Sequence, residues 1–167
     1  MTNAPWRIAG LLFALGGLLS AVGAIIFASD PSEAGSIATL VGLVLEGAAF
    51  ILFGRGLRGA RVATWVQWLF FVAGGFDILF ALLAVTGMNI GWAGLVIVLL
   101  ITALILVSSL MLLGSRVTGR PLNWALIILA IALLANVLTG SPATLVVVGA
   151  VYVLTGILLM RNPRRRA

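Results

Sequence analysis

The chain contains no cysteine, no histidine and no lysine, and among its 167 residues only four are acidic: Asp30, Glu33, Glu46 and Asp77. Without cysteine there is no disulfide, thiolate metal site or thiol nucleophile. Without histidine the usual general base and the usual ligand of haem and zinc are missing. Without lysine there is no amine for a Schiff base. This inventory predicts a protein that is not an enzyme and holds no metal or cofactor.

What is present is apolar. Hydrophobic residues make up 63% of the chain and charged ones 8%, and the mean hydropathy is +1.29, where a soluble domain is roughly half apolar and a quarter charged. Six stretches are long enough to cross a hydrocarbon core about 30 Å thick: 8–28, 36–54, 63–86, 93–113, 122–138 and 143–160. The expected fold class is therefore an all-α integral membrane protein in one six-helix domain spanning 1–167. The first stretch competes with a signal peptide, because Arg7 precedes it and "IIFASD" ends it with small residues. Its length favours a membrane helix.

All ten basic residues are arginine, giving a net charge of +6 and a pI near 11.8. In a soluble protein such a balance points to nucleic acid. Here the spacing points elsewhere: Arg7, Arg55, Arg58, Arg61, Arg116, Arg120, Arg161 and the tail Arg164, Arg165 and Arg166 all occupy alternate ends of the spans. The positive-inside rule then puts both termini and the two arginine loops in the cytoplasm. Arg55, Arg58, Arg61, Arg116, Arg120, Arg164, Arg165 and Arg166 are candidates for contact with anionic lipid headgroups, and no nucleic-acid partner is expected.

The spans pair into three helical hairpins, approximately 6–58, 63–116 and 121–161, followed by the basic tail 162–167. The returning helices end alike, in "AAFILFG" (48–54), "SSLMLLG" (108–114) and "TGILLMR" (155–161). Helix 1 has "ALGGLLSA" and helix 3 "VAGGFDIL", each with a Gly-Gly pair at mid-depth, whereas helix 5 has none. Hairpins that start and end on one side are parallel repeats about an axis along the membrane normal. With the outer proline turns and "SPATLVVVGAVYVLTGILLM" (141–160), the chain resembles the HdeD-like family of small bacterial membrane proteins, built from a short two-helix repeat of unknown function. The resemblance implies the bacterial cytoplasmic membrane and an association with stress or acid resistance; it brings no catalytic residues.

Two acids lie inside spans. Helices in lipid pack through small residues. In helix 1 such a stripe runs Gly10, Ala14, Gly17, Ala21, Ala24, Ala28; in helix 2 it runs Gly35, Thr39, Gly42, Glu46, Ala49. Steps of four and three keep residues on one helix face, so Glu46 is expected on a packing seam. Gln67, Phe70, Gly74, Asp77, Ala81 and Ala84 place Asp77 on the inner face of helix 3 in the same way. At 1.5 Å per residue both acids lie roughly 12–13 Å deep, so the two carboxyls can meet. Candidate polar partners are Gln67, Thr39, Ser108, Ser109, Asn136 and Tyr152.

Intramembrane ionisable residues are functional by default, or else hydrogen-bonding glue between helices. "GRGLRG" (54–59) spells a dinucleotide fingerprint but follows a transmembrane helix, where the motif requires a strand. Three functions follow: a non-enzymatic membrane protein of HdeD-like type, a small proton-coupled channel or transporter using Glu46 and Asp77, and an accessory subunit of a larger complex or homo-oligomer.

Overall fold

In hydrocarbon every backbone N–H and C=O must be satisfied within its own segment, so long apolar runs bounded by Pro, Gly and Arg become helices. The computed structural model describes residues 4–30, 33–58, 62–86, 91–115 and 117–161. It contains six helices: α1 (Ala4–Ser29), α2 (Glu33–Gly56), α3 (Thr64–Val85), α4 (Gly91–Ser115), α5 (Arg120–Thr139) and α6 (Pro142–Arg161). Each is long and apolar enough to span a bilayer. Most begin or end a few residues outside the stretch read from hydropathy, because helix termini carry the polar and small residues that a hydropathy window trims. Gly140 ends α5 in the left-handed conformation, φ 59°, with its N–H bonded to Asn136 O at 2.8 Å, and Pro142 opens α6. A chain reversal of two residues is thereby achieved.

The helices form a closed ring in which each packs on its chain neighbours and α1 closes against α6. The ring is uneven. Along the arc α6–α1–α2–α3, glycines bring backbones together: a Cβ on Gly16 would lie 2.9 Å from Gly42 O, one on Gly10 2.7 Å from Gly156 O, and one on Gly47 2.6 Å from Gly74 O. Around Gly75 and Gly114 there is nothing within 4 Å. The helix-1 stripe containing Gly10, Ala14, Gly17 and Ala21 meets α6, while a second stripe, Gly16, Ser20 and Gly23, meets α2. The two Gly-Gly pairs are therefore not equivalent, since Gly16 and Gly17 are both packed but Gly75 faces outward.

The half of the ring nearer the termini is filled by side chains. Trp6, Phe53, Phe70, Phe50, Phe13 and Tyr152 form a continuous set of ring contacts with centroids 4.8–6.1 Å apart. Ile101, Ile105 and Leu112 of α4 and Leu122, Leu126 and Leu129 of α5 complete this core. Trp65, Trp68, Trp92 and Trp124 are exposed near helix ends, where a membrane interface accommodates them. Trp6 differs: it is 4% exposed and packs on Phe53 and Gly56, so it belongs to the core rather than to an aromatic belt.

Candidate functional site: an acid cluster inside the bundle

Both intramembrane acids face inward, Glu46 at 1% and Asp77 at 5% exposure. Glu46 lies thirteen residues into α2 and Asp77 thirteen into α3, running in opposite directions, which brings them to a common depth. Asp77 Cβ packs against the backbone at Gly47, the neighbour of Glu46, and the two carboxyls interact electrostatically. From α1, Ser20 Oγ donates a 2.8 Å hydrogen bond to Glu46 Oε1. From α6, the buried Tyr152 hydroxyl interacts with the Glu46 carboxyl. Four helices thus converge on one cluster.

Glycines seat each member. A Cβ on Gly16 would lie 2.8 Å from Glu46 Cγ; on Gly17, 2.5 Å from Tyr152 Cβ; on Gly47, 3.1 Å from Asp77 Cβ. The adjacent glycines of α1 therefore admit Glu46 on one flank and Tyr152 on the other. Asp77 Oδ2 is buried with no hydrogen-bond partner among the described residues. Such an orphan acceptor is costly, and no basic side chain shares the interior, since the described arginines lie at helix ends.

Of the polar partners expected from sequence, Tyr152 reaches the acids and the others do not. Gln67 donates to Leu57 O at 3.4 Å, near the end of α2. Ser108 and Ser109 bond back to Leu104 O and Ile105 O within α4. Thr39 bonds to Gly35 O, and Asn136 accepts from Thr144. Ser20 escaped the sequence reading. Its signal is the second stripe, Gly16, Ser20, Gly23, offset from the more obvious small-residue stripe on the same helix.

Toward the end away from the termini, the cluster gives way to a cavity of about 470 Å³. Its walls include Phe27, Thr39, Leu43, Phe80, Asn136 and Leu145. Leu43 and Phe80, which line it, stand three residues from Glu46 and Asp77, or about one helical turn, and neither acid lines the cavity itself. Toward the termini the aromatic core closes the path. The cavity thus lies on one side of the acids, about one helical turn from them. Of the arginine candidates, Arg55, Arg58 and Arg120 are exposed at the terminal end, whereas Arg61, Arg116, Arg164, Arg165 and Arg166 lie outside the described residues.

The fold and site define a polytopic, all-α membrane protein with six membrane-capable helices. Comparison with protein-family models, curated proteins and solved structures returned no match.

Proposed function

We propose that the protein is a non-enzymatic multi-pass protein of the bacterial cytoplasmic membrane, of HdeD-like type and associated with acid or other stress, in which Glu46, Asp77 and Tyr152 form a proton-responsive element. The convergence of two carboxyls and a phenol inside the bundle carries this reading. In a dry interior without a cation, gain or loss of a proton changes the charge that α1, α2, α3 and α6 must accommodate. Those four helices are also the closely packed ones, so a change of charge acts directly on their packing. The arginine distribution supports placing the termini, and hence the closed aromatic end, in the cytoplasm; the cavity then faces outward, where external acid arrives.

A second reading, a proton-coupled transporter, is favoured by the cavity one turn from the acids. It requires the aromatic end to open, because Phe13, Phe50 and Phe53 are fully buried there. The accessory-subunit reading receives less support, because most small-residue stripes are already occupied within the chain; Gly75 and Gly114 alone of those described within the helices have open surroundings.

The test is proton movement in liposomes under an imposed pH gradient and voltage, with tryptophan fluorescence followed across pH, for wild type and for Glu46→Gln with Asp77→Asn. A pH-dependent spectral change that the double variant lacks, without flux, supports the responsive element. Flux lost in the double variant moves the transporter reading to first place. Identical behaviour of both proteins, without flux, leaves the acids as packing partners.

A further inference from the structure

A second concave feature lies at the opposite end from the cavity above the acids. Val117, Thr118 and Gly119, ahead of α5, line a groove of about 830 Å³ together with Leu158 and Arg161 at the end of α6. Arg120, at the start of α5, and Arg161, at the end of α6, both line it and are exposed. The chain's four acidic side chains are elsewhere: Asp30 and Glu33 lie at the other end of the bundle, and Glu46 and Asp77 are inside it. No side-chain carboxylate is available to neutralise this pair of guanidinium groups.

The groove contains a third donor. Asn123 is 1% exposed and lines the groove, yet its amide oxygen is occupied by the Thr118 hydroxyl, which donates to it. No hydrogen bond from the amide N–H₂ is found among the described residues. The start of α5 itself adds little, because Pro121 has no N–H and the N–H groups of Leu122 and Asn123 already bond to Gly119 O. The positive character comes from two side chains on different helices, with a buried amide lining the same groove. Leu113, Val117 and Leu158 supply an apolar wall.

We propose that this groove seats the phosphate of an anionic phospholipid, held by Arg120 and Arg161 with the Asn123 amide donating to a phosphate oxygen and the apolar wall against the lipid chains. Guanidinium groups and neutral amide donors match phosphate oxygens. Basic pockets between transmembrane helices at the cytoplasmic surface suit such headgroups. Sequence reading includes Arg120 among several candidate arginines without distinguishing it; the structure adds Arg161 and Asn123, and gives the three a common groove.

The test uses the full chain reconstituted with equal phosphatidylcholine and phosphatidylglycerol, released in mild detergent, with retained lipids counted by native mass spectrometry. Wild type should retain phosphatidylglycerol preferentially. Arg120→Gln and Arg161→Gln should each reduce that preference roughly fivefold, as expected for one basic residue near an anionic surface. Asn123→Asp, which preserves the acceptor for Thr118 and adds a negative charge, should also reduce it, while Arg7→Gln, exposed at the same end, should leave it unchanged. An equal loss in Arg7→Gln overturns the site in favour of diffuse surface charge, and no preference in wild type overturns the lipid assignment. In a second arm, lipid-free protein is titrated with inorganic phosphate. Saturable phosphate binding with no phosphatidylglycerol preference makes the ligand a soluble phosphate and overturns the lipid assignment.

Discussion

Ser20 and Glu46 join α1 to α2 at mid-bundle through a 2.8 Å hydrogen bond made across a glycine-lined interface. Ser20 is 2% exposed, and its hydroxyl donates to one carboxyl oxygen while Tyr152 approaches the same side chain from α6. Ser20→Ala should therefore cost about 0.6 kcal/mol, the average for hydrogen bonds between transmembrane helices. Denaturant unfolding in mixed micelles measures this directly. A loss several times larger would mean that Ser20 organises the whole cluster rather than one bond within it.

The glycines at positions 16, 17 and 75 allow an internally controlled experiment. Gly17→Ala forces a methyl group to 2.5 Å from both Gly149 O and Tyr152 Cβ, and overpacking of this kind costs typically about 1–3 kcal/mol. Because the displaced residue is Tyr152, the variant should also disturb the acid cluster. Gly75→Ala meets nothing within 4 Å and should unfold like wild type. If the two variants lose equal stability, the close approach of α1 and α6 is not what holds the arc together.

These glycines also show how far sequence carries. The number of helices and the inward face of Glu46 and Asp77 follow from hydropathy and from steps of three and four, since both are properties of a single helix. Which helix each stripe meets is a property of pairs, and periodicity is silent on it. Gly16 and Gly17 look like one motif matching Gly74 and Gly75, yet each faces a different neighbour and Gly75 faces none. Ser20 was missed for the same reason, because its stripe acquires meaning only when α2 is laid against it. The Asn123 amide is another case, since neither its burial nor its bond to Thr118 leaves a trace in spacing.

Asp77 should be expendable for folding. Its Oδ2 is buried without a partner among the described residues, and replacing an unsatisfied polar group with an apolar one of similar size is neutral or stabilising. Asp77→Val should unfold at the same denaturant concentration as wild type or a higher one, while losing the pH response proposed above. Stability kept and response lost is the pattern of a group retained for function at the expense of packing. A loss of more than about 1 kcal/mol, the net worth of a typical hydrogen bond, would show instead that the oxygen is bonded in the membrane and contributes to the fold.

The side of the membrane on which the cavity lies can be read by chemical labelling, because the natural chain has no cysteine and any introduced thiol is unique. Ser36 and Ser141 line the cavity away from the termini, whereas Ser109 is 0% exposed and bonded to Ile105 O within α4. Serine and cysteine are close in size, so all three replacements should fold. A membrane-impermeant maleimide added to intact cells should modify Ser36→Cys and Ser141→Cys and leave Ser109→Cys unreacted. Arg55→Cys, exposed at the other end, should react only after the membrane is opened. Together these outcomes place the cavity outside and the arginine end inside. The reverse pattern for Ser36→Cys and Arg55→Cys would invert the topology, and the cavity would then face the cytoplasm rather than the exterior.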